Sequence, residues 1–125
     1  MERVMNFKPL PLAGAYVVEP TRRSDDRGFF CRTYCAQTFR EHGLADEFVQ
    51  VNYSQSLYKG IIRGLHYQLP PHAEAKLVRC VRGSIQDVIV DLRQKSATFL
   101  HWHSEVLDDR SLRMMYAPPG FAHGF

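Results

Sequence analysis

The sequence predicts an all-β domain, a sandwich or barrel of short strands with one short helix. Three observations carry this. Hydrophobic residues recur with period two rather than 3.6. The apolar runs are four to eight or so residues long and rich in Val, Ile and aromatics. Turn chemistry separates them at regular intervals.

Taken in order, Ala36–His42 is the one helical segment, closed by Gly43 as a C-terminal cap. Phe48–Ser54 alternates, with Gln50, Asn52 and Ser54 on one face and Val49, Val51 and Tyr53 on the other. Gly60–Gln68 reads as a strand centred on Leu65, its glycines leaving room for a ligand beside His66. Residues 75–82, 85–92, 98–107 and 112–117 complete the strands. Arg82-Gly83-Ser84 and Asp108–Ser111 are expected as tight hairpin turns between them. Tyr116–Phe125 is apolar and sharply turning, with no polar tail, so the domain, 1–125 here, is expected to continue past Phe125.

Composition narrows the function. The chain has 125 residues, 16 Lys and Arg against 13 Asp and Glu, and a net charge of +3. That length suits one domain, and 45% hydrophobic content supplies a core. The charge is mild and scattered, which speaks against a nucleic-acid partner but leaves a basic pocket for a phosphorylated small molecule. Met1–Leu10 lacks the pattern of a signal peptide, and no apolar run nears the ~18 residues of a membrane span. Cys31, Cys35 and Cys80 are odd in number and form no C-x-x-C, as expected of reduced thiols in a cytoplasmic protein.

Several side chains are candidates for chemistry. His66 either lines a barrel mouth or is a satisfied histidine of a half-buried strand. Lys76 begins an apolar strand; facing inward it is functional, since lysine is seldom buried without a partner, and facing outward it is a solvated edge residue. Asp87 shares a strand face with Ile85 and Ile89, so it either partners a basic residue or marks that face as wet. His123 follows the rigid Pro118-Pro119-Gly120 turn. His101, His103 and Glu105 have the parity of metal ligands, but an exposed polar face of an edge strand explains them better. Arg22, Arg23, Arg27, Arg63, Arg79 and Arg82 are able to hold phosphate, and most are expected to be surface charges.

These pieces fit a known pattern. Gly60-x5-His66-x-Gln68 with Glu74 and Gly83 resembles a first cupin motif that has lost one metal ligand, and Pro118-x-Gly120-x2-His123 resembles the second. In family order, Asp26-Arg-Gly-Phe-Phe30, Phe48–Asn52, Arg63–Gln68, Lys76–Arg79, Asp87–Arg93, Ser96–Phe99 and Pro119–Phe125 resemble the dTDP-4-dehydrorhamnose 3,5-epimerases. The resemblance implies a cupin double-stranded β-helix (a jelly roll), homodimeric, with N-terminal strands exchanged between subunits and no metal or other cofactor. It implies epimerisation of a nucleoside-diphospho-4-keto-6-deoxyhexose at C3, C5 or both. His66 would be the base and Lys76 would hold the enolate oxygen. Asp87 would pair with Lys76 or His66. Arg63 would grip the diphosphate, Arg27 would reach in from the other subunit, Gln50, Val51 and Asn52 would contact substrate, and His123 would bond the sugar.

Three departures qualify this. The family's tyrosine acid and its base-orienting aspartate lie downstream of the segment ending at Phe125. Arg32 stands where the family has an acidic residue, and Glu74 where it has a glutamine. Two other functions compete: a sugar-nucleotide-binding cupin without turnover, and a metal-dependent cupin enzyme using His66, His101 or His103.

Overall fold

Two antiparallel sheets face each other across one core, as seen in a computed structural model that describes residues 3–125. The first sheet has the order β1-β2-β8-β5, from β1 (Met5–Pro9), β2 (Tyr16–Pro20), β5 (Lys76–Arg79) and β8 (Met114–Ala117). The second has the order β7-β6-β9, from β6 (Ser84–Asp91), β7 (Trp102–Asp108) and β9 (Phe121–Gly124). A separate hairpin pairs β3 (Arg23–Asp25) with β4 (Gly28–Phe30). The period-two pattern is thereby explained. In β6 the residues Asp87, Ile89 and Asp91 are buried, while Ser84 and Gln86 are exposed.

The core between the sheets contains Leu12, Ala15, Cys80, Ile89, Leu107, Met115, Ala117 and Phe121. A second cluster, Met5, Val18, Phe39, Met114 and Tyr116, lies on the opposite face of the first sheet. Strand β8 serves both, so all four of its residues are buried. Helix α1 (Ala36–Glu41) covers that second face. Phe39 is its anchor, meeting Phe7, Tyr34, Phe48 and Tyr116 edge-on at centroid distances of 5.5, 4.9, 6.3 and 6.2 Å. Full burial of such a ring stabilises by about 1.5–3 kcal/mol, and edge-to-face pairs add to it. The predicted C-terminal cap is present. Gly43 has φ +71°, its N–H donates to the Arg40 carbonyl, and the Leu44 N–H donates to that of Phe39.

Four expectations need correction. Phe48–Ser54 is not a strand. Phe48 is held against Phe39, but beyond it no strand among the described residues offers hydrogen bonds, and Val49 and Val51 are 90% and 93% exposed. Gly60–Gln68 forms only a bridge, His66 to His123. The strand expected from residue 98 starts at Trp102, because 97–100 turn around the Asp91 carboxylate. The turns at 82–84 and 108–111 exist but are not hairpins, since each carries the chain from one sheet to the other. Asp108 Oδ1 accepts from the N–H groups of Arg110 and Ser111, closing the second of these turns.

Sequence periodicity did not reveal β1 to β4, which are short and broken by Pro and Gly. Strand β9 emerges from the Pro-Pro-Gly turn. There Gly120 has φ +95°, and a Cβ would lie 2.6 Å from Arg93 Cγ. The motif residues Asp91, Arg93, Ser96 and Thr98 form a scaffold rather than a site. The buried Asp91 carboxylate accepts from Arg93 Nε at 2.9 Å and from the Ser96 and Thr98 hydroxyls at 2.6 Å each. It thereby fastens the long β6–β7 connection.

Candidate active site

The site is built at one end of the sandwich, where β5 faces β6 and β9. Lys76 is paired in register with Ala117, and Val78 with Met115, both core residues; Lys76 therefore faces inward and is half-buried. Across the sandwich, Asp87 is fully buried beside Ile89. His123 lies opposite Ile89 on β9 and points the same way. Its Nε2 is 2.5 Å from Asp87 Oδ1. Asp87 thus pairs with His123, not with Lys76 or His66 as expected. The parity of Asp87 with Ile85 and Ile89 signalled an inward carboxylate; its partner, 36 residues away on another strand, left no local signal.

His66 joins this face through the bridge. His66 N–H donates to the His123 carbonyl at 2.8 Å, and His123 N–H returns the bond at 2.9 Å. Directly opposed antiparallel residues share a face, so His66 lies on the same face as His123, exposed where His123 is buried. Arg63 and Phe125 exchange a second pair of bonds, at 2.7 and 2.9 Å. Between the two pairs stand Gly64 and Leu65 on one strand and Gly124 alone on the other, which is a β-bulge. Simple alternation would put Arg63 and His66 on opposite faces. The extra residue brings both to the same one.

Of the two glycines expected to leave room for a ligand, Gly64 instead serves backbone contact, as does Gly124 opposite it, while Gly60 has open space around it. A Cβ on Gly64 would lie 2.7 Å from the His123 carbonyl oxygen, and one on Gly124 would lie 2.8 Å from that of Arg63.

The electrostatics follow from burial. Desolvation pushes the Asp87 carboxyl above the ordinary carboxylate range, while the hydrogen bond from His123 and the nearby Lys76 charge pull it only part of the way back. Its second oxygen, Oδ2, is buried without a hydrogen-bond partner. Glu74 Oε1 lies 4.0 Å from Lys76 Nζ, so the departure at Glu74 does bring a negative charge to the lysine.

A lysine whose charge acts on a buried carboxylate, the histidine bonded to that carboxylate and a second histidine bridged to the first by its backbone are groups of the kind that proton transfer beside a carbonyl requires. The family profile described as dTDP-4-dehydrorhamnose 3,5-epimerase matches residues 9–125. The chain belongs to this epimerase family.

The dTDP-4-dehydrorhamnose 3,5-epimerase of Shigella flexneri is 45% identical over 122 residues, 97% of this chain and 67% of that protein. A dTDP-4-dehydrorhamnose 3-epimerase of Streptomyces niveus is 40% identical over 122 residues, 97% of this chain and 58% of that protein. Among solved structures, the epimerase of Elizabethkingia anophelis NUHP1 superposes with a TM-score of 0.93 at 44% identity, covering 98% of this chain and 67% of that one. That of Legionella pneumophila, in complex with dTDP-4-keto-L-rhamnose, gives 0.89 at 40% identity, covering 97% and 64%. The chain spans about three-fifths to two-thirds of the length of the curated relatives it matches. The fold is the cupin jelly roll of these epimerases.

The epimerase family's other expected site residues are not gathered around this cluster. Gln50, Val51 and Asn52 lie exposed on irregular chain, and no hydrogen bond or ion pair among the described residues joins them to it. Arg63 donates through Nε to Ser56 Oγ at 3.2 Å and through Nη2 to the Gln55 carbonyl at 2.7 Å, so its guanidinium holds that loop. Arg27 sits on the β3–β4 turn, exposed and 2.6 Å from Asp25. As for metal, His103 Nε2 contacts Glu105 at 2.8 Å, and Glu105 is also bridged by Arg113. Among the described residues, no three His, Cys, Asp or Glu side chains gather as metal ligands.

Proposed function

We propose that this chain epimerises a nucleoside-diphospho-4-keto-6-deoxyhexose at C3, C5 or both. The 4-keto group acidifies the protons on the adjacent carbons, so inversion proceeds by proton removal to an enolate and return of a proton to the opposite face. His66, at the open end of the site, is the base. Lys76, fixed on β5 and facing inward, supports the developing enolate oxygen, where a preorganised cation is worth more than water. Arg63 and Arg27 take the diphosphate, Gln50 to Asn52 contact the nucleotide sugar, and His123 bonds the hexose. The observation that carries this reading is the buried Asp87–His123 pair, with the Lys76 charge acting on Asp87 and His66 bridged to His123, in a member of this family.

The chain works as a cytoplasmic homodimer on this reading. Support comes from exposed apolar side chains on Val49, Val51, Tyr53, Phe29 and Phe30, surface of the kind that a second subunit would cover. The described residues also contain no helix long and apolar enough to cross a membrane.

Proton NMR of dTDP-4-keto-6-deoxyglucose in deuterated buffer tests the reading. Loss of the C3 and C5 proton signals in the presence of the chain, abolished by His66→Ala with dTDP binding retained, is the expected result. Exchange at C3 alone would assign the single-centre activity that the Streptomyces niveus relative's name carries. Binding without exchange at either carbon would refute catalysis and leave a sugar-nucleotide-binding protein. Exchange that requires added metal and stops in EDTA would transfer the chemistry to a metal-dependent site.

A further inference from the structure

We infer that Asp87 is a positioning residue for His123: it fixes the imidazole in the tautomer that carries its proton on Nε2, leaving Nδ1 as a hydrogen-bond acceptor facing the site. The inference concerns how the proposed sugar-binding histidine is set, and in that respect it rests on the function proposed above. Three observations carry it.

The first is geometric. Asp87 Oδ1 is 2.5 Å from Nε2, and the carboxylate belongs to the middle strand of its sheet, fully enclosed. An ionised carboxylate only accepts hydrogen bonds, so the proton of that contact belongs to the ring. The second is the state of the other ring nitrogen. His123 Nδ1 has no hydrogen bond within the chain, yet it is not among the buried polar atoms lacking a partner, where Asp87 Oδ2 stands alone. The nitrogen therefore keeps some accessible surface although the residue as a whole is buried, at 7% exposure. The third is charge. Groups facing Asp87 and His123 are Lys76 from the opposite sheet and His66 from the bridged segment. With Lys76 charged, an ionised Asp87 beside a neutral His123 leaves the three groups neutral together, the arrangement least penalised by burial.

A hydroxyl of the hexose would then donate to Nδ1. The alternative tautomer would present an N–H there, and the same hydroxyl would have to turn and accept, as a carbonyl or ether oxygen also would. The carboxylate thus decides whether His123 accepts or donates toward the sugar, without itself touching substrate. The same logic governs a histidine whose tautomer is set by a neighbouring aspartate in hydrolase triads, where an Asp to Asn change presents the wrong nitrogen.

Ring nitrogens of histidine distinguish the tautomers by their 15N shifts, so long-range 1H–15N correlation spectra of the labelled chain test this without substrate. His123→Gln identifies the signals. The expected wild-type pattern is a protonated Nε2 and an unprotonated Nδ1. In Asp87→Asn, whose amide donates to Nε2, the pattern reverses. A protonated Nδ1 in the neutral wild-type ring, or no change in Asp87→Asn, overturns the inference; the wild-type spectrum alone decides should the variant not fold. A binding arm separates this from the functional reading. Asp87→Asn is expected to weaken dTDP-hexose binding by up to about tenfold, the loss of one hydrogen bond, with dTDP affinity unchanged. Equal weakening of both ligands overturns the positioning role. A wild-type chain that binds neither refutes the proposed function, while the ring signals still decide the tautomer.

Discussion

The bulge beside His66 lends itself to a quantitative test through the two glycines that face each other across it. In Gly124→Ala the new Cβ would stand 2.8 Å from the Arg63 carbonyl oxygen and 3.0 Å from Leu65 Cδ2. Ordinary contact needs about half an ångström more from the backbone oxygen, so the 63–66 segment must move off β9. Four backbone hydrogen bonds of 2.7–2.9 Å span that gap. Losing all four, each contributing about 0.5–1.5 kcal/mol net, would cost roughly 2–6 kcal/mol, so stretching them is expected toward the lower end of that range. Gly64→Ala meets the same obstacle, 2.7 Å from the His123 carbonyl, and adds the strain of a side chain at φ +114°, roughly 1–3 kcal/mol more. Gly60→Ala is the control. Its φ is +89°, but nothing lies within 4 Å of the added carbon, so only the conformational cost of about 1–2 kcal/mol remains. Denaturant unfolding should therefore rank the losses Gly60→Ala, Gly124→Ala, Gly64→Ala in rising order, with amide exchange at His66 and His123 accelerated in the last two. A Gly124→Ala variant within about 0.5 kcal/mol of the parent, with His66 protection intact, would refute the close-approach account.

Other expectations are simpler to state. Burial alone would raise the Asp91 carboxyl, but bonds from Arg93, Ser96 and Thr98 outweigh it and hold it below the usual carboxylate range. Its folded-state pKa being depressed, the stabilisation is full above the unfolded value near 3.8 and is lost as pH falls below it. Acid titration of the unfolding free energy should show this loss, and Asp91→Asn should flatten it. Tyr116→Phe leaves the Ala45 N–H without its 2.9 Å acceptor, so a loss of about 1–2 kcal/mol is expected in thermal or urea melts. Lys76→Met should slow C3 and C5 deuterium exchange by about 10²–10³-fold with dTDP affinity little altered; a change in affinity alone would remove the enolate role.

What could be read from the sequence was what neighbouring residues decide together. Strands β5, β6 and β8 and the Gly43 cap were legible because alternation and cap chemistry are local properties. Phe48–Ser54 alternates as well as β6 does, yet it stays irregular, because a strand exists only when another strand accepts its hydrogen bonds. The turns at Gly83 and Asp108 were legible as turns. Whether the chain then pairs back or crosses to the other sheet depends on where both cores form. Lys76 and Asp87 were identified by the conflict between a charged residue and an apolar face. The Asp87–His123 contact and the bulge at Gly64–Leu65 were not legible, since each depends on the register of β9 against two segments distant in sequence. The aspartate, arginine, serine and threonine of the 91–98 motif matched the family in order but serve to tie down a connection.

Strand β8 carries a consequence for motion. Burial on both faces, with β2 on one side and β5 on the other, leaves its amides no route to solvent short of opening one of the two cores. Such a strand belongs to the last cooperative unit to open, exchanging at the free energy of global unfolding. Lys76 is bonded in register to Ala117 at the end of it, so the cation of the site is mounted on the slowest-exchanging part of the molecule. His66 is held instead by a bridge at the margin of the other sheet, whose local openings need only break the few bonds around the bulge. The two halves of the proposed chemistry are thus mounted with different resistance to local opening: the ammonium on a doubly buried strand, the histidine on a segment tied to β9 by four backbone hydrogen bonds.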